Sequence, residues 1–127
     1  MTIPHRPGPR PVIPIRAEAA GEALDLCGSG EPFALMVLGD SMAPEFRDGD
    51  IVIVEPEGLV RDGSYVLAEV NGGLIFRLLR SRAAGWSLHA LQDGNPAIDL
   101  ADLRSVRGVI IQKSRPGRRR ETRRYVE

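Results

Sequence analysis

Ser41 is the residue on which chemistry can be built. It lies in Val37-Leu38-Gly39-Asp40-Ser41-Met42-Ala43-Pro44, followed by Asp48-Gly49-Asp50-Ile51-Val52-Ile53-Val54. An apolar run ends at a glycine, and the serine sits on the turn just beyond it. Such a serine can lift its hydroxyl out of a sheet beside free backbone N–H groups, the geometry that a nucleophile and its oxyanion hole need. The plainer reading is an Asp-Ser turn whose side chains cap their own backbone. A serine nucleophile also needs a base, and bases are scarce. Of 17 basic residues Lys113 is the sole lysine and the rest are arginine; the histidines are His5 and His89.

The elements that must hold Ser41 read as short strands. Phe33–Leu38, Ile51–Glu55, Ser64–Val70, Leu74–Arg80, Trp86–Leu91 and Arg107–Lys113 are apolar or alternating runs, punctuated by Gly, Pro, Asn and Asp. Ile51–Glu55, β-branched along most of its length, is expected as a central strand. Asn71-Gly72-Gly73 predicts a tight hairpin, because Asn and Gly accept positive φ. Leu100–Arg104 reads as a short irregular or helical piece, and Ala17–Leu26 as a short helix weakened by Gly21. The class is mainly β, a small barrel of coiled β-sheets. Three regions follow: a proline-rich leader and linker over 1–32, the β domain over 33–114, and an arginine-rich tail over 115–127 expected to be loose.

Composition narrows the function. The chain has 127 residues, room for one domain. Its charges balance, 17 basic against 17 acidic, which excludes a uniformly basic nucleic-acid binder. The tail carries six arginines and two glutamates, +4, leaving −4 for the first 114 residues. Arg118, Arg119, Arg120, Arg123 and Arg124 can neutralise phosphates in a salt-sensitive way, so nucleic acid is a possible partner. The plainer reading is a solvated terminus. The single Cys27 rules out an internal disulfide and a cysteine-built zinc site, and no cofactor is expected. No apolar run is long enough for a membrane helix, and no apolar signal region opens the chain, so a cytoplasmic protein without membrane contact is expected.

Gly39-Asp40-Ser41-Met42-Ala43-Pro44 with Asp48-Gly49-Asp50 and IVIVEP resembles the signature of the LexA/UmuD-like self-cleaving serine peptidases, which share a fold core with signal peptidases. DGSYVLAEVNGG, FRLLR, Asn95-Pro96 and VRGVII resemble further landmarks of that family. The resemblance implies that Gly39, Asp40, Met42, Pro44, Gly49 and Asp50 shape the motif and that Ser41 is the nucleophile. It also implies a lysine base in a Lys-Arg-Leu context on the hairpin's return strand. Here that strand reads Leu74-Ile75-Phe76-Arg77-Leu78, which puts Phe76 at the lysine position. Alternation supports this register, with Leu74, Phe76 and Leu78 on one face and Ile75, Arg77 and Leu79 on the other. Arg77 cannot act as a base, because a guanidinium keeps its proton in proteins.

Lys113 lies at the end of the closing strand. His89 is a base by type only, one strand later than required. Ala20-Gly21 and Cys27-Gly28 match the bond types that the family cuts, yet Cys27 and Ala20 precede Ser41 by only 14 and 21 residues. A linker of small residues is the plainer reading of both. The residues before Phe33 are too few for the helix-turn-helix of the family's repressors, so a stand-alone layout is expected. The sequence reading is therefore a regulatory or binding module without the serine–lysine dyad. The resemblance implies a homodimer, a protein partner and a stress or DNA-damage setting. The alternatives are an active self-peptidase using Ser41, and a nucleic-acid accessory protein using the tail.

Overall fold

A computed structural model describes residues 12–14, 27–28, 30–115 and 118–125. The expected helix over Ala17–Leu26 lies outside them. Among the described residues nine strands occur, in the order β1 (Val12–Pro14), β2 (Phe33–Met36), β3 (Ile51–Glu55), β4 (Tyr65–Val70), β5 (Gly73–Arg82), β6 (Gly85–His89), β7 (Ile98–Leu100), β8 (Val106–Arg115) and β9 (Arg118–Arg124). They form one sheet along the path β1-β2-β3-β8-β4-β5-β6-β7, with β9 added to β8. Only the β1–β2 pair is parallel; the others are antiparallel. The mainly-β class holds. The sheet is coiled but open, since its path has two ends.

Parity along the strands explains the coiling. In β5, Phe76 and Leu78 pack in one apolar cluster while Ile75 and Leu79 pack in another. β4 divides likewise, with Leu67 in the first and Val66 and Ala68 in the second. The first cluster, built on Phe33, Leu35, Met42, Phe46, Val52 and Val54, lies under the Ser41 loop. The second holds Leu79, Leu88 and Val109. Strands buried on both faces are accommodated by the twist and coiling that sheets naturally take. Register shifts at Ile53/Val54 and Leu67/Ala68 add local bends.

β3 is central as expected, flanked by β2 and β8. The hairpin between β4 and β5 turns at Asn71 (φ 52°) and Gly72 (φ 82°), both in the left-handed region that a tight hairpin requires. One strand is added and one expectation is corrected. Residues 98–100 form β7, whose Leu88↔Ile98 and Trp86↔Leu100 pairs give the segment a partner, while residues 101–104 are irregular as expected. The tail is not loose: residues 118–124 form β9, because β8 runs on far enough to offer a free edge to Arg124, Arg123 and Arg118.

Candidate functional site

The loop from Gly39 to Asp50 carries Ser41 and is closed at its base by its own acids. Asp48 Oδ1 accepts the Gly39 N–H at 2.7 Å, and the Gly49 N–H donates to the Val37 carbonyl at 2.8 Å. Asp50 is 2% exposed and anchors the loop. Its Oδ2 accepts the Arg47 N–H at 2.9 Å, and its Oδ1 is paired with Arg115 Nη2 at 3.1 Å. Its own N–H donates to the Arg47 carbonyl, while its carbonyl accepts from Val37. A carboxylate this buried is tolerated only when charge and hydrogen bonds compensate its lost water. Met42 plugs the core directly after Ser41, 1% exposed, so the serine rides on a fixed point. Asp40 is exposed and accepts the Ala43 N–H through its carbonyl at 3.0 Å. Gly39 (φ 87°) makes the turn out of the strand. Pro44 leads the loop into Phe46, which is fully buried.

Two further segments grip the loop. β6 leaves β5 after the Leu78↔His89 pair. Leu91 and Gln92 then donate their N–H groups to the Ser41 carbonyl at 2.9 and 3.1 Å, and Gln92 Nε2 donates to the Ala43 carbonyl at 2.6 Å. On the far side Glu45 meets β8 and β9. Its carboxylate accepts the Tyr125 hydroxyl at 2.5 Å and is paired with Arg123 at 3.3 Å and Lys113 at 3.4 Å. Lys113 Nζ also donates to the Glu45 carbonyl and stands over the Phe46 ring. Burial alone would raise the Glu45 carboxyl. The Tyr125 hydroxyl, Lys113 and Arg123 outweigh it and hold the group below the usual glutamate range. Burial, and then the Glu45 carboxylate that accepts its proton, push the Tyr125 hydroxyl strongly up. Tyr125 completes an aromatic cluster with Phe46 (5.4 Å) and Tyr65 (5.3 Å).

Around Ser41 the basic groups fall out as follows. Phe76 is 4% exposed and stacks edge-on against Phe46 at 4.7 Å, deep in the first core. Lys113 is engaged with Glu45. His89 Nε2 is hydrogen-bonded with the Ser87 hydroxyl at 2.7 Å. The group that reaches Ser41 is Arg77: its Nη1 donates to Ser41 Oγ at 3.5 Å and to the Phe76 carbonyl at 2.8 Å. Burial lowers the Arg77 pKa, and the guanidinium still keeps its proton. Among the described residues no acceptor takes the N–H of Ser41 or Met42.

Alternation puts Arg77 on the opposite face of β5 from Phe76, yet its long side chain turns back to the Phe76 carbonyl and the Ser41 hydroxyl. The arginines of the tail divide. Arg123 is committed to Glu45 and lies 5.5 Å from the Tyr125 ring, while Arg124 is exposed. Arg118, Arg119 and Arg120 lie in β9. The Cys27–Gly28 bond borders a recess with Pro56, Glu69, Val106 and Arg107 rather than Ser41. Burial raises the Cys27 thiol, against the charge of Arg107. Ala20-Gly21 and His5 fall outside the described residues. Among those residues no group of three or more His, Cys, Asp or Glu is placed to hold a metal, and no helix is long and apolar enough to cross a membrane.

The open coiled sheet and the glycine-flanked serine loop define a serine-peptidase type of scaffold. Residues 16–111 match the family model described as Peptidase S24-like. The chain belongs to that S24-like family.

Proposed function

We propose that this S24-like domain is a regulatory binding module that has kept the peptidase loop and lacks a serine–lysine dyad. The observation that carries the reading is the group found at Ser41. It is the Arg77 guanidinium, which cannot accept the serine proton, while Phe76 fills core space and Lys113 is held by Glu45. Without a base the hydroxyl stays a weak nucleophile, and in this reading the loop serves binding, with the N–H groups of Ser41 and Met42 as donors. The partner in this reading is a protein segment, and the module works as a homodimer in a stress response.

The test is phosphonylation of the serine. A fluorophosphonate is attacked at phosphorus, with loss of fluoride, only by an activated hydroxyl, so the purified protein is expected to gain no adduct mass after long exposure. Stoichiometric labelling that disappears in Ser41→Ala would overturn the reading by showing an activated nucleophile at Ser41.

A further inference from the structure

The Arg77 side chain offers more donors than the protein uses. A guanidinium carries five N–H donors in a planar fork. Nη1 serves Ser41 Oγ and the Phe76 carbonyl. Among the described residues no carboxylate lies within ion-pair distance of it, although the neighbouring loop holds Asp40, which is exposed. Other arginines of the domain stand against acids: Arg80 against Asp62, Arg82 against Asp99, Arg107 against Glu69 and Arg115 against Asp50. A half-buried cation without a counter-charge costs free energy unless something completes it. Through Nη1 the guanidinium reaches Ser41, whose N–H, like that of Met42, has no acceptor among the described residues. Among the described residues, 74–77 of β5 pair with β4 on one side only, so a strand edge leads up to this point. An extended peptide can add to such an edge.

We propose that Arg77, with the Ser41 hydroxyl and the Ser41 and Met42 N–H groups, is a receptor for a peptide carboxylate. The fork of an arginine matches the two oxygens of a carboxylate, and charge-assisted bonds of this kind are stronger than neutral ones. The carboxylate can be a chain terminus or an Asp or Glu side chain. The proposal rests on the reading that this site binds rather than cuts, and it names what is bound.

The test is an NMR titration of the full ¹⁵N-labelled chain with three small probes. N-acetyl-Ala-Ala with a free terminus carries a terminal carboxylate. N-acetyl-Ala-Ala-amide carries none. N-acetyl-Ala-Glu-Ala-amide carries one on a side chain only. At least one acid is expected to shift the amides of Ser41 and Met42 and the Nε–H of Arg77, and the tighter of the two names the source. The neutral amide is expected to bind about tenfold more weakly or worse, the loss of one charge-assisted pair. Arg77→Gln is expected to lose the acid preference, and Arg77→Lys, which keeps charge without the fork, to fall between. The idea is overturned if all three probes act alike, if neither acid shifts these resonances, if inorganic phosphate shifts them as strongly as the acids, or if Arg77→Gln keeps the preference. Fluorophosphonate labelling of Ser41 would instead remove the reading beneath it, so the two failures are distinguishable.

Discussion

Tyr125→Phe removes one oxygen and leaves the ring, so it isolates the bond that ties the last strand to the serine loop. In the wild type that hydroxyl donates to Glu45 Oε2 at 2.5 Å, and Glu45 stands four residues beyond Ser41. A hydrogen bond to a charged group contributes about 1.5–3 kcal/mol. Glu45 is only 21% exposed, which favours a sizeable effect, but it keeps Lys113 and Arg123 after the change, which caps it. The expected loss is therefore near the low end, about 1.5 kcal/mol, or about 6 °C in Tm for a chain of this size. The assay is urea unfolding at several pH values, with midpoints compared at constant slope. The sign of the pH effect follows from Glu45. Its folded carboxyl is held below the ordinary glutamate value. The stability it supplies is full above that ordinary value, roughly 4.3, and drains away as pH falls through the lower folded value. The gap between wild type and variant should thus be constant near neutrality and narrow below about pH 4. At the other extreme, the raised Tyr125 hydroxyl keeps its contribution up to about pH 10 and loses it above, as the unfolded tyrosine ionises. A variant within about 0.5 kcal/mol of wild type at pH 7, or a penalty that ignores acid pH, would refute the reasoning.

Other substitutions probe the rest of the site. Asp50→Ala removes a 2% exposed carboxylate that holds Arg115 and the Arg47 N–H, and should cost about 3–5 kcal/mol in thermal or urea unfolding. Phe76→Ala empties the core position next to Phe46 and should cost about 3–5 kcal/mol by the same assays. Gly85→Ala should lower stability by about 1–3 kcal/mol, since φ is 140° there and a Cβ would stand 2.5 Å from the Leu100 carbonyl oxygen.

Much of the fold was written in local patterns. The β-branched Ile51–Glu55 run became the central strand, and Asn71-Gly72 became the hairpin. The two faces of residues 74–79 were divided by simple alternation, as the two core clusters confirm for Phe76, Leu78, Ile75 and Leu79. The Ser41 loop was legible because its glycines and aspartates have local jobs: Asp48 caps Gly39, and Asp50 caps Arg47. What escaped was non-local. Arg118–Arg124 has no apolar alternation, and it is a strand because β8 offers an edge and Tyr125 finds Phe46 and Tyr65 from elsewhere in the chain. Residues 98–100 are too short to announce β7 without β6 beside them. The Arg77–Ser41 contact joins residues 36 apart through a side chain that leaves its own face, which strand periodicity cannot encode.

The most direct test of the central claim is the intact mass of the full chain during long incubation from about pH 7 to about pH 10, beside Ser41→Ala. Alkaline conditions favour any deprotonated amine, so they give a hidden base its best opportunity. One unchanged mass is expected for both proteins at every pH. A backbone cut that requires Ser41 would contradict it, and the fragment masses would name the bond.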